Sequence, residues 1–167
     1  STVKIISCTF EDNFSNTSGG AININWHGEN DVIDVEIRNS TFTRNEVQIN
    51  DGEQITAWGG AIYFDGTRNL RLKIEDSIFS ENRVRNNNSG QGCVGGVIGS
   101  WVNPNDSWSN IEPVIINRNI FMGNGNDCGS GTWSGGSVIN VGWNIDISNS
   151  LFARNYTKSD GGISGFV

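Results

Sequence analysis

Several ingredients of ordinary domains are scarce in this 167-residue chain. No amphipathic helical stretch of useful length is present, and 22 glycines together with frequent asparagine oppose one. No apolar run approaches the ~20 residues that a bilayer-spanning helix needs. No secretory leader is visible before Ser1, so the chain reads as a mature product or a segment of something longer. Charged residues are only 17% of the chain, and their balance of −7 argues against nucleic acid as a partner, since phosphate binding requires a basic face. The single histidine, His27, stands alone in a glycine-rich stretch and reads as a surface residue rather than a base. The three cysteines, Cys8, Cys93 and Cys128, fit no zinc spacing. Low charge with abundant Gly and Asn would suit a disordered chain. Alternating apolar runs such as Leu70-Arg71-Leu72-Lys73-Ile74 argue instead for strands.

What is present is a repeat. Phe-x-x-Asn occurs at Phe10, Phe42, Phe79, Phe121 and Phe152. Between successive copies comes a Gly-Gly pair followed by small or branched residues, at Gly19-Gly20, Gly59-Gly60, Gly95-Gly96, Gly135-Gly136 and Gly161-Gly162. Aligned on Phe, the position five before it is always Ile (Ile5, Ile37, Ile74, Ile116, Ile147). Seven before it stand Val3, Val35, Leu72, Val114 and Ile145, and two before it Cys8, Ser40, Ser77, Asn119 and Ser150. Columns of like side chains are what stacked rungs about 4.8 Å apart demand. The parity changes between the Ile and Phe columns, so a bend is expected at Ser7, Asn39, Asp76, Arg118 and Asn149. The Asn of Phe-x-x-Asn is expected to form turns and, if buried, an amide ladder. Gly-Gly marks a second corner, and polar residues Asn30, Asn69, Asn110 and Asn144 a third. The expected fold is all-β: a single-stranded right-handed parallel β-helix of about five rungs, one domain over residues 1–167, with three short strands per turn. Phe-to-Phe intervals of 32, 37, 42 and 31 residues leave an excess assigned to loops at 46–58, 83–94, 101–110 and 125–134.

The paired motifs resemble the repeats of the chlamydial polymorphic outer membrane proteins, whose passenger regions carry Gly-Gly-Ala-(Ile/Leu/Val) and Phe-x-x-Asn many times. The likeness spans essentially the whole chain. All five Phe-x-x-Asn sites match, and Ala21 and Ala61 complete the glycine motif, whereas Val97, Ser137 and Ile163 depart from it. The resemblance implies a right-handed parallel β-helix, exposure outside the cell and a role in adhesion, and it carries over no catalytic residues.

The ends of the repeat suggest assembly. Gly162 of one copy followed by Phe10 of the next would be spaced by 15 residues, against internal spacings of 22, 19, 25 and 16. Val3, Ile5, Cys8 and Phe10 at one end, with Ile163 and Phe166 at the other, are therefore candidate assembly residues, and the expected partner is a second copy, head to tail. Cys93 and Cys128 are a candidate disulfide; the alternative is three buried reduced thiols. Asn-x-Ser/Thr sequons stand at Asn13, Asn16, Asn39, Asn87, Asn105 and Asn155. Asn13 and Asn155 fall in the turn column, and the long-loop sites Asn87 and Asn105 are the best candidates for glycosylation. Trp58, Trp101, Trp108 and Trp133 are candidates for stacking on glycans or other cell-surface ligands, or for roofing the loops. No pair of acids converges as a hydrolase would need, and Arg38, Lys73 and Arg118 have no acidic partner column. The expectation is an extracellular or cell-surface structural protein with no cofactor and no metal, the alternative being an adhesin or carbohydrate-binding segment of a larger surface protein.

Overall fold

The computed structural model describes residues 1–25, 33–65, 70–88, 90–101, 112–129, 133–142 and 144–159; the side chains of Asp65, Trp133 and Ser159 are outside that description. The chain winds as an all-β, right-handed parallel solenoid of about five rungs, and every strand pairs in parallel with its counterpart one rung away. Five sheets line the axis, not three. Sheet A stacks Thr2–Ile6, Ile33–Arg38, Leu70–Glu75, Val114–Asn117 and Ile145–Ser148. Sheet B stacks the Phe strands Thr9–Glu11, Thr41–Thr43, Ile78–Ser80, Ile120–Met122 and Leu151–Ala153. Sheet C runs from Phe14–Ser15 through Glu46–Gln48, Arg83–Asn86 and Gly125–Cys128 to Tyr156–Ser159. Sheet D holds Ala57–Trp58, Gly92–Val94 and Trp133–Gly135, and sheet E holds Ile22–Asn25, Ile62–Asp65, Ile98–Trp101 and Ile139–Asn140.

The expected loops at 46–58, 83–94 and 125–134 therefore contain the strands of sheets C and D. These strands are two to four residues long, too short for alternation to show, and their apolar content is low. Of the stretch 101–110, Trp101 ends a sheet E strand and 102–110 lie outside the described residues, as do Asn30, Asn69 and Asn110.

The bends fall where the parity change puts them. Ser7, Asn39, Asp76, Arg118 and Asn149 all have positive φ, between 47° and 56°, and each turns sheet A into sheet B. The second turn is displaced by one residue from its expected place. Left-handed backbone occurs not at the Asn but just before it, at Asp12, Arg44, Glu81, Gly123 and Arg154. That frees the Asn side chain to point inward. Asn45, Asn82 and Asn124 are fully buried, and each Nδ2 donates to the Oδ1 of the next Asn along the axis, over 2.8, 2.8, 3.0 and 3.1 Å from Asn13 to Asn155. The same Oδ1 also accepts the backbone N–H of the Asn below it, at 3.0 Å for Asn45 to Asn82. The remaining Nδ2 proton goes to the carbonyl of Phe one rung down, as from Asn82 to Phe42 at 2.8 Å. A second ladder uses the column two before Phe. Ser40 N–H donates to Ser77 Oγ at 3.1 Å, and Ser77 N–H to Asn119 Oδ1 at 2.9 Å. Both ladders satisfy donors that the turns remove from the sheets.

Between the ladders the five Phe rings stack with centroids 4.7 to 4.9 Å apart and planes within 10°. Parallel rings at this separation lie within the favoured range for stacked aromatic pairs, and the rung spacing sets the distance. Phe, Ile and Val columns of sheets A, B and E form one buried core, while Val47, Ile49, Ala57, Val84, Cys93 and Cys128 form a second between sheets C and D. The glycine corner separates the two. Gly59 needs its φ of +59°, and a Cβ on Gly60 would lie 2.7 Å from the Arg83 carbonyl across the solenoid. In the fourth rung the register is one residue later than the Gly-Gly motif suggests. Val94 pairs with Gly135, so Gly136 (φ +46°) takes the left-handed place and Ser137 that of the second glycine. Val138 and Ile139 then stack on Val97 and Ile98.

Asn82→Ala leaves Asn45 N–H and Nδ2–H without their acceptor in the dry interior. We expect a loss of about 3 kcal/mol or more in urea unfolding, against less than about 0.5 kcal/mol for Asn87→Ala on the surface. Equal midpoints for the two variants would contradict the ladder.

Candidate functional site

Two surfaces stand out, the outer face of sheet A and the end faces of the stack. On sheet A, outward side chains of one rung sit above those of the last, where like charges would repel. The sequence alternates sign instead. Lys4, Glu36 and Lys73 share one column, Asp34 and Arg71 a second, and Arg38 and Glu75 a third. The resulting ion pairs run across rungs, from Lys4 to Glu36 at 3.6 Å and Arg38 to Glu75 at 3.1 Å, and along single strands, from Arg38 to Glu36 at 2.7 Å and Lys73 to Glu75 at 3.0 Å. Arg71 bridges Asp34 at 3.8 Å and Glu112 at 3.1 Å, and Arg118 reaches Asp76 at 2.7 Å. So Arg38, Lys73 and Arg118 do have acidic partners, contrary to the sequence reading. The Arg38–Glu75 and Arg118–Asp76 partners, 37 and 42 residues apart, become visible only once the register is known, whereas Glu36 and Glu75 stand two residues from Arg38 and Lys73 and were legible in the sequence.

This network borders a shallow groove of about 400 Å³. Burial works against the charge on Glu75, but hydrogen bonds from Lys73 and Asn117 and the charges of Lys73 and Arg38 hold its carboxyl below the ordinary range. Hydrogen bonding by Arg118 does the same to Asp76, and by Arg44 to Asp12. Each of these three carboxylates is held by a cation, Glu75 and Asp76 at sheet A and its bend, and Asp12 at the corner between sheets B and C. Among the described residues no group of three His, Cys, Asp or Glu is placed to hold a metal ion.

At the lower end face, Val3 is 39% exposed and Phe14 64%, while Ile5, Cys8 and Phe10 are half-buried. All belong to columns whose interior members are buried, except Phe14, whose column continues through Glu46, Arg83 and Gly125 to Tyr156. At the upper face Ile145, Ile147 and Phe152 are half-buried and Leu151 is 55% exposed. Ile163 and Phe166, the expected upper assembly residues, lie outside the described residues, with Gly161 and Gly162. The amide ladder has a direction. Every Asn-to-Asn bond runs from a lower donor to an upper acceptor, so among the described residues the lower face opens with Asn13 Oδ1 and one Asn13 Nδ2 proton, and the upper face with Asn155 N–H.

The structure places Cys93 and Cys128 as a disulfide, with Cα atoms 6.1 Å apart, joining the third rung to the fourth at the corner of sheets C and D. Cys8 is free. Of the sequon asparagines, Asn16 and Asn87 are exposed beyond the ends of sheet C strands. Asn39 is exposed but sits in the left-handed turn, Asn13 and Asn155 belong to the ladder, and Asn105 lies outside the described residues. Trp58 is half-buried against Tyr63, ring centroids 6.1 Å apart, and Trp101 is 44% exposed at the end of its strand. The side chain of Trp133 and all of Trp108, Trp26, Trp143 and His27 are outside the described residues, so no tryptophan row is defined.

These features define a parallel β-solenoid with internally paired charges, a fold that structural and adhesive proteins share. No protein-family model matches the chain, and no curated protein or solved structure matches it either.

Two outcomes are expected. The carboxyls of Asp12, Glu75 and Asp76 are lowered in the native state, so their stabilisation is complete above the ordinary values of 3.8 for Asp and 4.5 for Glu and is lost as pH falls through the native ones. Stability measured in urea should hold from pH 7 to about 5 and decline below about 4; no decline by about pH 3 would contradict the pairing. Alkylation of the denatured, unreduced protein should label one thiol, Cys8, and label three after reduction. Three labels without reductant would remove the disulfide.

Proposed function

We propose that the chain is an extracellular structural protein, a β-helix subunit that stacks head to tail into a filament. The observation that carries this reading is the directional continuity of the end faces. Phe10 and Asn13 below, and Phe152 and Asn155 above, are the same residues that stack through the interior. Stacking head to tail repeats the interior pattern, with Asn155 N–H donating to Asn13 Oδ1 and the second Asn13 Nδ2 proton going to the Phe152 carbonyl, whereas joining two lower faces repeats no interior contact. Unpaired parallel strands and half-buried apolar columns are surfaces that further β-rungs cover. An oxidising location is supported by the Cys93–Cys128 pair.

Negative-stain electron microscopy of the purified protein tests this. Uniform unbranched fibrils as wide as one solenoid are expected, growing longer with concentration. A species that stays monomeric in sedimentation at high concentration would overturn the reading.

An adhesive or glycan-binding segment of a larger surface protein is the second reading, favoured by the exposed Trp101. Quenching or shift of tryptophan fluorescence by oligosaccharides would support it, and an unchanged spectrum would count against it.

A further inference from the structure

The end faces also carry a charge pattern. Of the described lysines and arginines, Arg154 alone has no carboxylate within ion-pair distance. It occupies the left-handed corner of the uppermost rung, in the column of Asp12, Arg44 and Glu81. Lower in that column Arg44 lies one rung above Asp12 and grips it through two bonds, 2.7 and 2.8 Å long, with Glu11 as a further partner. On sheet A the uppermost member of the Lys4, Glu36, Lys73 column is Asp146, exposed and with no cation partner among the described residues. The lowest member is Lys4, held only by Glu36 above it.

Resting on the head-to-tail reading, we propose that the joint between copies is set by charge. Asp146 of the lower copy meets Lys4 of the upper, and Arg154 of the lower copy meets Asp12 of the upper. The partner is a second copy of this chain, because both contacts continue the alternation of sign along their columns, which one neutral residue, Ile115 or Gly123, interrupts in the fourth rung. Each contact has a precedent inside the chain. Arg38 reaches up one rung to Glu75, and Arg71 bridges acids on both sides, as Lys4 and Asp12 would bridge partners below and above. The ladders alone fix direction, but every rung presents the same Phe and Asn. The charged columns differ from rung to rung, so they alone mark the terminal rung as the place to join, and they fix the register of the two copies about the axis.

The test is charge reversal and its repair. Asp146→Lys sets two lysines against each other at the joint and should raise the critical concentration for fibril growth roughly tenfold at low salt. Adding Lys4→Glu in the same chain recreates an opposite pair and should bring it back to near the wild-type value. Arg154→Glu should act like Asp146→Lys. Asp146 and Arg154 are exposed and hold no ion pair with the described residues of the subunit, so urea midpoints of Asp146→Lys and Arg154→Glu should stay near wild type, and the double variant is read against Lys4→Glu alone, which carries the loss of the Glu36 pair. Wild-type fibrils with an unchanged critical concentration for Asp146→Lys, or no rescue by Lys4→Glu, would overturn the charge-set joint and leave the filament standing. Absence of wild-type fibrils would remove the filament and the joint together.

Discussion

A parallel solenoid must turn its backbone out of sheet geometry several times per rung, and each turn strips amide groups of their strand partners. The asparagine ladder is the solution at the most buried of these turns, and the rest of the rung is arranged around it. One side chain supplies an acceptor for the N–H below and a donor for the carbonyl of a Phe one rung down, while passing an amide hydrogen bond along the axis. Unsatisfied in the interior, those groups would cost about 1–3 kcal/mol each. Their satisfaction requires the residue before Asn to be left-handed, which is why that place tolerates Asp, Arg, Glu or Gly according to the charge of its neighbours while the Asn does not vary.

The glycine corner imposes the complementary constraint. Where the ladder needs a particular side chain, the second glycine in the lower three rungs must have none, because the opposite strand passes within contact of its Cα. The pinch divides the interior into a large Phe/Ile/Val core and a small one closed by cysteines. Outside, the one-rung spacing acts on charge as it acts on rings. Columns that would repel if uniform alternate in sign.

The fold was legible in the sequence wherever a column has one chemical kind. The Ile, Phe and Asn columns revealed the stack, the position of the bend three before Phe and the amide ladder, but put the left-handed backbone at the Asn rather than at the bend and just before the Asn. Sheets C and D were not legible, because their strands are two to four residues long and stack Val on Asn or Ala on Cys. The fourth glycine pair misled by one place, since Gly135 imitates the motif while Gly136 and Ser137 occupy it. The charged network stayed hidden for a different reason. Many of its partners are a rung apart, and alternating sign looks like scatter until the register is set; then the Lys4, Glu36, Lys73 column reads plainly.

The central claim is that buried asparagine amides bind rung to rung. Side-chain amide hydrogen exchange measured by NMR tests it most directly. The Nδ2 protons of Asn45, Asn82 and Asn124 should exchange orders of magnitude more slowly than those of exposed Asn87, at rates set by opening of the whole stack. Exchange of the ladder amides as fast as that of Asn87 would contradict it.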